Sequence, residues 1–336
     1  MPARLFNSHP EHGIRVPQEI MEAYVRQLFL AVGTSEEHAK HMAVTLTAND
    51  LRCVFSHGTR QTRDYISQMQ KGHTNPTPNV TVVSESEATA VLDGDGGLGY
   101  FPSHLGTKMA IEKALTVGVA TITTRNHFHF GAAGNYSRMA IAQDCIGMAL
   151  SSHRYRPRPN ATVLSASGGS PISIAVPTGD QPPLIIDMAS HFMRYDEESF
   201  AKFPAAIFKG LGLAAVLQVM GGVLAGIWNE GYEFTGEGDG AAPHQGAFIA
   251  VFDVKRFADV DVYKKEVDRY ISESRATQPL PGYDQSELAG GMEWKLEKEH
   301  REIGIPISDD HRALLEKVGD SVGVESPFGE FEDSRF

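Results

Sequence analysis

The chain has 336 residues, 41% hydrophobic and 21% charged, a globular balance that suits one large domain or two medium ones. Its formal net charge of -12 argues against a nucleic-acid surface, and it means that an anionic ligand has to be met by local cations. The only cysteines, Cys53 and Cys145, stand far apart without CxxC spacing, which speaks against a disulfide framework or a zinc knuckle and fits a reducing compartment.

The N-terminal stretch MPARLFNSHPEHGIRVP lacks the apolar core of a secretory signal. No run reads as long enough to span a bilayer, so the expectation is a soluble cytoplasmic protein with no membrane partner. Residues 17–50 read as two helices. In the first, Ile20, Tyr24, Leu28 and Val32 recur at helical spacing ahead of Gly33. The second is opened by a capping box from Thr34 to Glu37 and carries Ala39, Met42, Leu46 and Asn49 on one face. A turn at Ser56-His57-Gly58 leads into a third helix through Tyr65, Ile66 and Met69, and HTNPTPN is a linker. From residue 80 the texture changes. VTVVSES and ATAVLDGD alternate as strands, PSHLGTKMAIEKALTVG is helical, and VATITTRNHFHF is a strand. NYSRMAIAQD is a helix, and CIGMALSS, GSPISIAVPT and PPLIIDMAS are strands. KGLGLAAVLQVMGGVLAG reads as a buried helix of small residues, GAFIAVFDV as a strand, and the chain from Lys255 onward as mostly helical. The expected class is α/β, with a sheet-containing domain over 77–255 and a helical domain assembled from 1–76 and 256–336.

Five motifs carry candidate chemistry. GDGGLG, Gly94 to Gly99, matches the phosphate-loop pattern G-x-G-x-x-G after a strand. Its context is poor, because the next strand ends TITTR with no acid to hold a ribose hydroxyl. SHGTRQTR places His57 beside Arg60 and Arg63. A histidine that exchanges a proton and an arginine fork that grips a carboxylate would suit a 2-oxo acid; a capped helix with solvated arginines is the plain alternative. In RNHFHFGAAG the strand period puts His127 and His129 on one face and Phe128 and Phe130 on the other. A zinc site would need a third ligand, and no spacing ties in His153 or His191. A ligand mouth at a helix N-terminus and a pair of structural histidines both remain open there. Asp187 ends the strand in IIDMASHF, as a helix cap or a ligand for a sugar hydroxyl. FKGLG, Phe208 to Gly212, puts Lys209 at a helix start, where a cation makes sense beside a bound anion.

In this order, SHG…R…Y, DGDGGLGY, RNHFHFGAAGNY, GGSP…AVP, IIDMAS, FKGLG and AGGMEW…EIGIPI resemble the malate/L-lactate dehydrogenase family that is not Rossmann-like. The resemblance implies a mixed sheet with flanking helices that binds NAD or NADP in its own way. It implies a homodimer with sites near the subunit interface, and hydride transfer on a carboxylate-bearing 2-oxo acid, 2-hydroxy acid or cyclic imino acid. His57 takes the place of the family's proton donor. Asp187, Met188, Ala189, Phe208, Lys209, Gly290 and Gly291 take cofactor-contacting places. His129 aligns with the histidine of the site mouth, and Arg60 or Arg63 would anchor the carboxylate. Phe128, His127 and His191 would line the substrate.

Four places depart from the family pattern. Phe128 replaces an asparagine, Gln61 stands where an arginine is usual, and Met292 replaces an acid. His191 opens a short bridge to Lys209 where relatives carry a long excursion. Those departures raise two alternatives: a lyase, isomerase or cyclase that reuses the histidines on a larger apolar substrate, and a non-catalytic binding subunit.

Overall fold

The computed structural model describes residues 9–155, 159–166, 168–191, 193–228 and 243–336. The first eight residues of the N-terminal stretch, and Phe192 of the bridge, lie outside these. The elements run β1 (Ile14–Val16), α1 (Gln18–Ala31), α2 (Glu36–Leu51), α3 (Thr62–Gln70), β2 (Thr81–Glu85), β3 (Thr89–Asp93), α4 (Tyr100–Val117) and β4 (Val119–His127). They continue with α5 (Gly134–Ile141), β5 (Cys145–His153), β6 (Pro171–Val176), β7 (Leu184–Ala189), α6 (Glu197–Lys202), α7 (Pro204–Gln218) and β8 (Gln245–Asp253). The last are α8 (Val260–Arg275), α9 (Gly291–Ile303), β9 (Ile305–Ile307) and α10 (Asp309–Val322). They divide into two compact units, 1–77 with 274–336 and 78–235 with 241–273.

In the helical unit, α1 buries Met21, Tyr24, Val25, Leu28 and Phe29, the face that the helical spacing marks. The cap of α2 differs from the expected box: Ser35, not Thr34, accepts the amide of His38 at 3.2 Å. Thr34 is buried, and its hydroxyl contacts the Met69 sulfur. The ladder of β1 on β9 has no counterpart in the sequence reading, because three residues per strand are too few to show a period. Ile14, Val16, Ile305 and Ile307 are nonetheless fully buried by it.

The strands of the second unit form one sheet in the order β2-β3-β4-β8-β5-β6-β7. Only β3 and β4 pair in parallel, with α4 as the crossover, and the other neighbours are antiparallel. The sheet is therefore mixed and differs from the parallel Rossmann sheet. Both faces are covered. Gly147 of β5 faces α5, whose Ser137 and Ala140 fill the space of a side chain, while Leu150 and Ser152 face the π-helical continuation of α7 at Val219–Val223. Leu92, Ile122, Phe130, Ile249 and Val251 share one buried core with Ala110 of α4 and Tyr136 and Ala140 of α5.

Residues 256–273 group with the sheet unit, whereas their charge-rich helical pattern in the sequence points to the helical domain. The reason is polar. Lys264 pairs with Asp144, and Asp268 accepts the amides of Gly179, Asp180 and Gln181. Periodicity shows a helix without showing which core it joins. The helix read as buried is also only partly so. Pro204–Val223 is long and apolar enough for a bilayer by length and composition alone, with a mean hydropathy of 1.6, contrary to the sequence reading. Ile207, Leu211, Ala214 and Leu217 are buried on one side. Phe208, Val216, Val219 and Val223 are each more than half exposed on the other.

Candidate functional site

His57 sits in a single 3-10 turn between α2 and α3. Two contacts fix it locally: its Nδ1 meets Ser56 Oγ at 2.9 Å, and its carbonyl accepts Asn49 Nδ2 at 2.8 Å. Burial lowers its pKa below the ordinary 6.5. The next two residues close over a buried carboxylate. Thr59 donates its amide to both oxygens of Asp50 at 3.2 Å and its hydroxyl to Oδ2 at 2.5 Å. Gly58 has to be glycine, because a side chain there would collide with the Asp50 carboxylate. On its other side Thr59 Oγ1 meets Nε2 of His311 at 2.9 Å.

The two candidate arginines separate. Arg63 is largely exposed and spends its fork on Asp64 at 3.0 Å. Arg60 is half-buried, and among the described residues no carboxylate forms an ion pair with it. Gln61, in the family arginine's place, donates to Ser56 O at 2.6 Å and braces the same turn. In the same unit Gly290 (φ +91) opens α9. The turn is clamped by Glu287, which pairs with Arg275 and Lys295 at 2.7 Å each.

In the sheet unit, the strand-parity expectation fails at Asn126. Its φ of +54 and a register shift between Thr124 and His127 take the chain off alternation. His127 turns wholly inward. Its Nε2 meets Thr124 Oγ1 at 2.9 Å and its Nδ1 meets Phe128 O at 2.7 Å. Burial lowers its pKa to about 4. Both ring nitrogens are thus engaged inside the chain. Phe128 is also buried, edge-on to His244 at 5.9 Å, and His129 is only half-buried.

GDGGLG serves the same strand end. The amides of Gly94, Gly96 and Gly99 donate to the carbonyls of Arg125, Asn126 and His129 at 2.9–3.0 Å, so they are spent within the chain and not on a phosphate. A side chain at Gly94 or Gly99 would strike His127. The motif makes room for a buried histidine.

Asp187 is an exposed residue of the edge strand β7, and its Oδ2 accepts the amide of Gly134 at 3.0 Å. The N-terminus of α5, read from sequence as a ligand mouth, thus has the chain's own carboxylate on it. Met188 and Ala189 continue β7 to its end. Beyond them Ser190 Oγ is buried with no hydrogen-bond partner among the described residues. His191 stacks on Tyr195 at 4.2 Å. Behind this end, Ser152 Oγ links Ser170 Oγ (3.0 Å) to Gln218 Oε1 (2.7 Å), and Gln218 Nε2 donates to His153 O.

The helix of Lys209 starts earlier than expected, at Pro204, which places Lys209 in its second turn. Lys209 and Phe208 are exposed, and no carboxylate pairs with the lysine among the described residues. A dinucleotide calls for a cation for phosphate, an acid or hydroxyl for ribose and an apolar ring face. Lys209, Asp187, the unsatisfied Ser190 hydroxyl and Phe208 supply those types, so the residues present fit the group. Among the described residues no cluster of three or more histidines, cysteines or acids could hold a metal ion.

The sequence reading missed the Asp50–Thr59–His311 network and the Ser152–Ser170–Gln218 link. A sign of the first was visible in Asn49, a polar residue on the apolar face of α2.

A family model described as malate/L-lactate dehydrogenase matches residues 16–197 and 195–316. The two stretches meet within the short bridge. A malate dehydrogenase of Pyrococcus horikoshii is 27% identical over 94% of this chain and 97% of its own. Its solved structure superposes with a TM-score of 0.83 over 95% of this chain and 98% of that one. An L-sulfolactate dehydrogenase of Methanocaldococcus jannaschii is 29% identical over 87% and 92%. A ureidoglycolate dehydrogenase (NAD(+)) of Escherichia coli is 23% identical over 88% and 93%.

Proposed function

The chain belongs to the malate/L-lactate dehydrogenase family, and from that premise we propose that it is an NAD- or NADP-dependent oxidoreductase acting on a small 2-oxo or 2-hydroxy acid or cyclic imino acid, with His57 as proton donor. The observation that carries the reading is the pairing, in one short loop, of a partly buried histidine with an arginine that forms no ion pair with a carboxylate among the described residues. The relatives' names support the oxidoreductase class, and none favours a lyase, isomerase or cyclase.

The reduced nicotinamide, when bound, supplies the hydride. Arg60 holds the substrate carboxylate through its planar fork. With His57 Nδ1 hydrogen-bonded to Ser56, proton transfer to the substrate oxygen or nitrogen is assigned to Nε2. Asp187, Met188, Ala189, Phe208 and Lys209 on the sheet unit are the cofactor residues, with Lys209 for phosphate and Asp187 for a ribose hydroxyl. Gly290 and Gly291 are retained from the family pattern. His129 is a further site histidine in this reading, and His191 and Phe128 set substrate preference.

The test is a rate profile against pH in both directions. The donor has to be protonated for reduction, so kcat/KM for reduction falls as pH rises through the His57 pKa, which lies below 6.5. Oxidation needs the neutral imidazole and rises through the same pKa. A reduction profile flat between about pH 5 and 8 would remove His57 as donor.

We propose further that the protein is a homodimer. Phe208, Val216, Val219 and Val223 recur at positions that share one helical face, an exposed apolar stripe of the kind that marks an interface. Light scattering is expected to give the mass of two chains, and Val216→Asp with Val219→Asp the mass of one. A single-chain mass for the unaltered protein refutes the dimer.

A further inference from the structure

The loop that carries His57 rests on a carboxylate that the proposed chemistry does not use. Asp50, Thr59 and His311 have almost no solvent exposure and come from α2, the loop and α10. Asp50 receives hydrogen bonds from the amide and hydroxyl of Thr59. The other titratable groups acting on these residues are Arg60, which bears on both Asp50 and His311, and the thiol of Cys53. An interior carboxylate with no ion pair among the described residues is costly, and a helix end does not need one. What this carboxylate does is accept from the peptide and side chain of the residue two beyond His57, while its neighbour Asn49 holds the His57 carbonyl.

We propose that Asp50, locked by Thr59 and His311, is the positioning residue of His57: it fixes the Gly58–Thr59 peptide and so presents the imidazole in one place. The inference rests on the reading of His57 as proton donor. The hydrogen bonds have a definite order. Burial, with the Arg60 charge, holds the His311 pKa down to about 3, so its ring is neutral near pH 7. With Asp50 ionised, His311 donates through Nε2 to Thr59, and Thr59 donates to Asp50. Burial pushes Asp50 up to about 7. When it takes a proton the chain can reverse, Asp50 donating to Thr59 and Thr59 to His311, but the charge-assisted bonds to the carboxylate are lost, so the lock is tightest with Asp50 ionised. An amide at position 50 carries no charge and accepts through one outer atom only, so at every pH it holds the turn no more tightly than the protonated acid does.

The test compares Asp50→Asn, Thr59→Val and His57→Ala with the unaltered chain, after thermal unfolding has established that each is folded. The readouts are kcat, KM and the titration midpoint of the His57 ring followed by NMR. Asp50→Asn is expected to lower kcat roughly ten- to hundredfold with KM within about twofold, the scale of a displaced catalytic group. The His57 midpoint is expected to rise toward 6.5 as the ring is rehydrated. Thr59→Val is expected to move both readouts in the same direction by less. A folded Asp50→Asn chain with an unmoved His57 midpoint overturns the proposal, whether or not kcat falls. If His57→Ala keeps its activity, the donor reading fails instead, and the NMR midpoint still decides whether Asp50 positions the ring. If Asp50→Asn does not fold, Thr59→Val decides by the same readouts.

Discussion

Replacing His57 with alanine is expected to lower kcat for reduction by about a hundredfold or more, because general acid catalysis contributes on that scale. Affinity for the reduced dinucleotide should stay within about twofold, since no cofactor role is assigned to this side chain. The size of the loss follows from the setting. Burial holds the ring below its ordinary pKa, so its protonated form is a strong acid for its type. Its Nδ1 contact with Ser56 and the Asn49 clasp on its carbonyl limit where it can sit. Steady-state rates on the alanine variant, with a fluorescence titration of the reduced cofactor, check the point. Full activity would move the proton donor elsewhere, with His129 the first place to look.

Arg60→Gln is expected to raise KM for the acid by roughly thirtyfold, about 2 kcal/mol, the scale of a hydrogen-bonded charge pair. Arg63→Gln should change KM by less than about twofold, since that side chain is largely exposed and already pairs with Asp64. The sequence left the two arginines equivalent. The structure parts them by exposure and partner, and the paired variants turn that difference into a measurement. Equal effects from both would mean that neither guanidinium holds the carboxylate.

Family membership was legible in the ordered motifs, although each motif alone was weak. Period carried most of the fold: the buried face of α1 and the strands from residue 80 onward repeat long enough to be read. What escaped had no period to show. The strands β1 and β9 are three residues each, and α8 joins the sheet through Lys264 and Asp268, ion-pair and amide contacts invisible in a single sequence. The apolar helix α7 looked buried because composition does not say which of its faces is covered. At the site, one left-handed residue, Asn126, undid the argument for His127. GDGGLG, a phosphate loop by pattern, proved to be the cradle of that same histidine. The acid beneath the His57 loop was hidden because Asp50, in NDLRC, is a charged residue that reads as surface until Thr59 and His311 are seen to enclose it.

The most direct test of hydride transfer uses reduced nicotinamide cofactor carrying deuterium at the transferable position of the ring, offered with short 2-oxo acids and cyclic imino acids. The account predicts cofactor oxidation and a product with deuterium on the carbon beside the carboxylate, both lost in the His57→Ala chain. Turnover of a substrate with the cofactor unconsumed, or a product free of deuterium, would contradict it.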